Sequence, residues 1–143
     1  MDFNKYAQEG YAFVNELARE LGHEEDKGSV SIALRAVLHT LRDRITMAES
    51  LHLLSHLPYF LKAVYVDQWK YMEQPLSIRT VEQFKEEVKM RQLQFGERDF
   101  DWKNPTEEII RTVIHCLRKY IPQGTFEDIQ ANLPKELKSL VEA

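Results

Sequence analysis

The segment RAVLHTLRDRI, Arg35 to Ile45, returns 76 positions later as RTVIHCLRKYI, Arg111 to Ile121. The match extends well beyond these eleven residues. Ala33–Val64 falls on Ile109–Leu140 without a gap, with ten identical residues in 32 positions. Among the identities are Arg35/Arg111, His39/His115, Arg42/Arg118, Leu57/Leu133, Pro58/Pro134 and Leu61/Leu137. Apolar character is kept at Leu34/Ile110, Leu38/Ile114 and Leu53/Ile129. Two units are too few for an open solenoid, whose end repeats lack a covering neighbour. The expectation is two tandem units, about 1–71 and about 78–143, packed about a pseudo-twofold axis as one domain over 1–143.

The units read as helical. Apolar residues recur at helical spacing over Ala33, Leu34, Val37, Leu38 and Leu41, and again over Ile109, Ile110, Val113, Ile114 and Leu117. Thr46 with Glu49, Thr80 with Gln83 and Thr125 with Asp128 have capping-box or near-capping-box spacing, and Asn104 precedes Pro105 as a cap before a first-turn proline. Pro58 and Pro134 each end one helix and open the next. No Asn-Gly or Asp-Gly turn sits between alternating strands. The fold class is therefore all-α, with about eight helices at 3–21, 30–44, 47–56, 58–71, 80–94, 105–120, 125–132 and 134–142. The loop QFGERDFDWKN carries Phe95, Phe100 and Trp102, which suggests a strap on the core rather than a free linker.

With 143 residues and a net charge of −4, the chain has the size of one domain and no overall attraction for nucleic acid. No stretch approaches the roughly 20 apolar residues of a membrane span, and the start MDFNKYAQEG has no leader-type apolar run. Cys116 is the single cysteine, so no intrachain disulfide forms, which fits a reducing compartment. These features place the protein in the cytoplasm, away from membranes.

The pattern R-x-V-L-H-x-L-R-D-R at Arg35–Arg44, then L-P-x-x-L-K-x-V-Y at Leu57–Tyr65 and Trp69, resembles the bacterial "domain of unknown function 2267" family. The segment RTVEQFKEEV, Arg79–Val88, and the second copy ending in LPKEL resemble it too. The resemblance covers nearly the whole chain and implies an all-helical duplicated domain. It implies no activity and transfers no functional residues.

Four groups of residues are candidates for chemistry or binding. Arg35, His39 and Arg42 stand at i, i+4 and i+7 on one helix face, and Arg111, His115 and Arg118 repeat the stripe. Such a stripe would hold a carboxylate or phosphate, with histidine making the affinity pH-sensitive. Its structural alternative is pairing with carboxylates and carbonyls of a neighbouring helix. His52 and His56, at i and i+4, have chelating spacing but no H-E-x-x-H context, and no metal or other cofactor is expected. Cys116 lies opposite Thr40 in the repeat and reads as a small helical filler. The carboxylates Glu24, Glu25, Asp26, Glu86, Glu87, Glu97 and Asp99 read as solvation, and no catalytic motif accompanies them.

The fourth group is an asymmetry. Leu51, Leu54, Tyr59 and Phe60 correspond to Glu127, Gln130, Lys135 and Glu136, and Trp69 follows close behind. The first unit thus has extra apolar surface, to be covered by the N-terminal helix, by the aromatic loop or by a partner. The expected role is a non-enzymatic binding or interaction protein, a homodimer or the partner of another protein. Small-anion or metal binding is the alternative, and an enzyme the third reading.

Overall fold

The computed structural model describes residues 1–96 and 100–142. Glu97 and Asp99 lie outside them. Among the described residues there are eight α-helices and no strand: α1 (Phe3–Leu21), α2 (Lys27–Arg44), α3 (Met47–His56), α4 (Tyr59–Val66), α5 (Val81–Phe95), α6 (Thr106–Leu117), α7 (Gln123–Asn132) and α8 (Lys135–Val141). A single 3₁₀ turn, Arg118–Tyr120, prolongs α6.

Local chemistry sets many of the boundaries. Thr46 with Glu49 and Thr80 with Gln83 form complete capping boxes at α3 and α5. Asp26 accepts from the Ser29 N–H at 3.3 Å, so α2 starts three residues before the apolar periodicity suggests. Gly22 ends α1 at φ +80°, where its N–H and that of His23 reach back to Arg19 and Ala18. Two expected caps are not used as such. α7 begins directly after Pro122, so Thr125 lies inside its first turn and is buried. Asn104 leaves α6 uncapped and instead donates to the Leu21 carbonyl at 3.2 Å, tying the loop to the end of α1. The strap is real over its described part: Trp102 stacks on His23 at 4.2 Å and donates to Asp26.

α2 is the central helix. It packs on α1, α4, α5 and α6, and almost its whole circumference is buried from Val30 to Asp43. α1 lies on α6 and α2 on α5, while α4 and α8 close onto α2 and α6. α4 also meets α1, α8 meets α5, and α3 faces α7. Exchanging α1–α4 for α5–α8 carries each of these pairings onto another, whereas the packing of α7 on α8 has no equal between α3 and α4. The connector between halves runs along α2, held by Leu76 N–H to the Asp43 carbonyl at 2.9 Å and Arg44 Nε to the Ile78 carbonyl at 2.7 Å.

Gly10 lets α1 approach α4. A Cβ there would meet Phe60 Cδ2 at 2.8 Å and Cγ at 2.9 Å, atoms close to the Phe60 backbone that cannot swing aside freely. Gly10→Val is expected to destabilise the fold by about 2 kcal/mol, since overpacking outweighs the gain in helix propensity. Gly28→Ala, in open space on α2, should instead stabilise by about 0.5–1 kcal/mol. Urea unfolding of the pair checks the opposite signs.

Candidate functional site

The stripe on α2 is not an exposed face. His39 and Arg42 are 3% and 4% exposed, because α4 and α5 pack over this side of α2. His39 Nε2–H donates to the Val64 carbonyl at 2.6 Å. Arg42 Nη1 donates to the carbonyls of Tyr65 at 2.7 Å and Asp67 at 3.1 Å. The Val64 and Tyr65 carbonyls belong to the last turn of α4, where helix carbonyls have no partner of their own, and the Asp67 carbonyl lies just beyond it. Arg35 forms an ion pair with Asp67, the residue that ends α4, and lies 4.4 Å from the Phe95 ring. All three side chains thus clamp the C-terminal end of α4, which also suits the negative end of the helix dipole.

Charge in the clamp is balanced by a neighbour. Arg42 Nε and Nη2 donate to both oxygens of Asp43, at 2.8 and 3.2 Å. Arg91 of α5 donates to Asp43 Oδ2 at 2.7 Å and pairs with Glu87 one turn back. Burial alone would raise the Asp43 pKa, but the hydrogen bonds and charges of Arg42 and Arg91 outweigh it and hold the carboxyl below its usual range. Burial pushes His39 down to about 4, with Arg42, Arg35 and Arg91 adding repulsion against the bond to Val64, so the ring is neutral at pH 7.

The second stripe is built differently. Arg111 donates to the Ser139 carbonyl on α8 and to Glu107 at 2.9 Å. Arg118 lies over the Phe126 ring at 4.2 Å, and His115 is exposed. Where the first half has Asp43 beside its arginine, the second has Lys119, which pairs with Glu16.

The remaining candidates are dispersed. His52 and His56 face solvent with rings 5.4 Å apart, and the described residues contain no group of three or more His, Cys, Asp or Glu suited to a metal. Cys116 is buried, and burial pushes its thiol up to about 11, so it is no thiolate at neutral pH. Of the apolar patch, Phe60 is covered by α1 at Gly10 and Phe13, and Leu54 is half-buried. Trp69 packs edge-on against Tyr65 at 5.5 Å. Leu51 and Tyr59 remain 56% and 53% exposed.

Two depressions stand out. A groove of about 820 Å³ between α1 and α2 has mostly apolar walls, including Tyr11, Val14 and Phe60. A cleft of about 630 Å³ between α2, α5 and the connector after α4 is polar at its base, with His39, Arg42, Asp43 and Arg91. Sequence reasoning misses Asp43, Arg91 and Gln68 of this cleft. The Asp43/Lys119 difference, beside an arginine shared by both copies, is a signal that could have found Asp43.

The fold and the site define an all-helical domain with an ion network buried between α2, α4 and α5. Its family is defined by sequence: the model of an uncharacterised conserved protein family, DUF2267, matches residues 10–140, and the chain belongs to that family. No curated protein matches it. Among the described residues, no helix is long and apolar enough to cross a membrane.

Proposed function

We propose that the protein is a non-enzymatic interaction module that pairs with a second copy of itself through the apolar face of its first half. One observation carries this reading. Leu51 and Tyr59 are exposed, and so are their counterparts Glu127 and Lys135. The same surface position thus accepts a charge in one half, so burial within the chain is no reason for leucine and tyrosine in the other. The ring of Tyr6 on α1 packs at a tilt against Tyr59 at 4.5 Å, and Phe3, also on α1, is 74% exposed. Aromatic clusters of this kind favour the centre of an interface, and a twofold dimer needs only one self-complementary patch. The reading takes the two halves as products of a duplication, supported by the ten identities and by most of the helix pairings.

Analytical ultracentrifugation tests it. Wild-type protein is expected to sediment as a dimer, and the double variant Leu51→Glu, Tyr59→Lys as a folded monomer. That variant writes the second half's own residues into two exposed positions of the first, so it is expected to fold, and circular dichroism checks this. A wild-type monomer at the highest soluble concentration, or a double variant that stays dimeric, overturns the proposal.

A further inference from the structure

The polar cleft between α2 and α5 is separate from the proposed dimer face. Its volume, about 630 Å³, lies within the 300–1,000 Å³ range of small-molecule sites. Its base is rigid, because Arg42 and Arg91 grip Asp43 from two helices. Trp69 and Phe95 contribute aromatic walls, and Lys70 and the amides of Gln68 and Gln94 also line it. We infer that this cleft binds a planar heteroaromatic acid that carries an N–H donor.

Three features fix that chemical class. The first is His39. Its Nε2 must bear the proton, since it donates to the Val64 carbonyl. Nδ1 is then a lone-pair acceptor on a ring that is 3% exposed and lines the cleft, and no described residue donates to it. Nδ1 is not sealed in the core: it opens to the cleft, where an N–H or O–H of a ligand can take the place of water. The second is charge. Arg42 and Arg91 are offset by Asp43 and Glu87, whereas Lys70 is exposed and has no ion-pair partner among the described residues. The lining therefore carries one surplus positive charge, which selects an anion. The third is shape: Trp69 and Phe95 offer faces or edges to a flat ring.

The backbone agrees. Gln68 is the one non-glycine residue with positive φ among those described, at +56°, and it sits on the cleft wall. Arg42 holds the carbonyl of Asp67 just before it, so the base of the cleft and the conformation of its wall share one side chain. Strained residues of this type gather at ligand-binding segments.

The probes are indole-3-acetate, its N-methyl derivative, which lacks the donor, and 3-methylindole, which lacks the acid. Titration is followed by ¹⁵N NMR. Indole-3-acetate is expected to shift the amides of Gln68, Trp69 and Phe95 and the His39 Nδ1 resonance in a saturable way. N-methylation, or loss of the acid, should each weaken binding by about tenfold, the size expected for one missing buried polar contact. Lys70→Glu, at an exposed and unpaired site, should erase the preference for the acid while leaving the fold intact. The double variant Leu51→Glu, Tyr59→Lys should bind the probe unchanged, which separates this site from the dimer face. Equal affinity for all three probes, shifts confined to other regions, or no saturable change with any probe overturns the inference.

Discussion

Arg42→Met is expected to destabilise the protein by about 3–5 kcal/mol, the range found when one partner of a buried ion pair is removed. The side chain lies 3% exposed and donates to four acceptors: both oxygens of Asp43 and the carbonyls of Tyr65 and Asp67. Methionine keeps most of the apolar length, so a cavity contributes little. What remains is a carboxylate with Arg91 as its surviving donor and two carbonyls at the end of α4 without one. Arg118→Met, its counterpart in the second half, removes only the stacking over Phe126 and should cost about 1 kcal/mol or less. Urea unfolding at neutral pH compares the two. Equal losses would mean that the buried network does not hold α4 in place. A further check is the double variant Arg42→Met, Asp43→Asn, whose cost should fall short of the sum of the single changes, because the second substitution removes the charge that the first left exposed to a poor environment.

This contrast between two arginines at the same repeat position shows where sequence reading stops. The boundaries of α1, α3 and α5 were legible because Gly22 and the two capping boxes act within a few residues of themselves. The end of α4 was not. Val66-Asp67-Gln68-Trp69 contains neither glycine nor proline, and the helix stops at Val66, where residues from α2, 23 to 25 positions away, capture its last carbonyls. The Arg-His-Arg spacing was legible as one face of a helix, but its burial was not, since a separate polar face is ordinarily a wet one. On α2 the polar side meets α4 and α5, so the histidine and arginines serve as internal hydrogen-bond donors. The cleft was out of reach for a similar reason: Asp43 and Arg91 meet across 48 positions of chain, and no local pattern marks such a pair. The apolar surplus of the first half was legible as an excess, but how it divides was not. Gly10 admits Phe60 under α1, whereas Tyr59, one residue earlier, points to the surface.

Acidification supplies the second large effect. Between about pH 6.5 and pH 4 the folding stability is expected to fall by about 3 kcal/mol through His39 alone. In the folded chain the ring stays neutral down to about 4, because burial and the guanidinium groups of Arg42, Arg35 and Arg91 oppose its charge. Asp43 and Asp67 lie close by, but each is paired with an arginine. In the unfolded chain His39 takes up its proton near its ordinary pKa of about 6.5. Over that window the unfolded state binds more protons, so lower pH favours it; above the window the contribution is complete, and below it no more is lost. Asp43 acts in a lower range. Its folded pKa is depressed, so its contribution is present above the unfolded value near 4 and disappears only as pH falls further. Urea midpoints measured at half-unit steps from pH 7.5 to pH 4 separate the two. The variant His39→Gln can still donate to Val64 but cannot titrate, so it should be less stable at neutral pH and nearly flat across the His39 window. If the wild type is flat there, the ring is not held neutral. If both chains slope alike, the titration belongs to the exposed histidines or to carboxylates, and the clamp on α4 has no part in it.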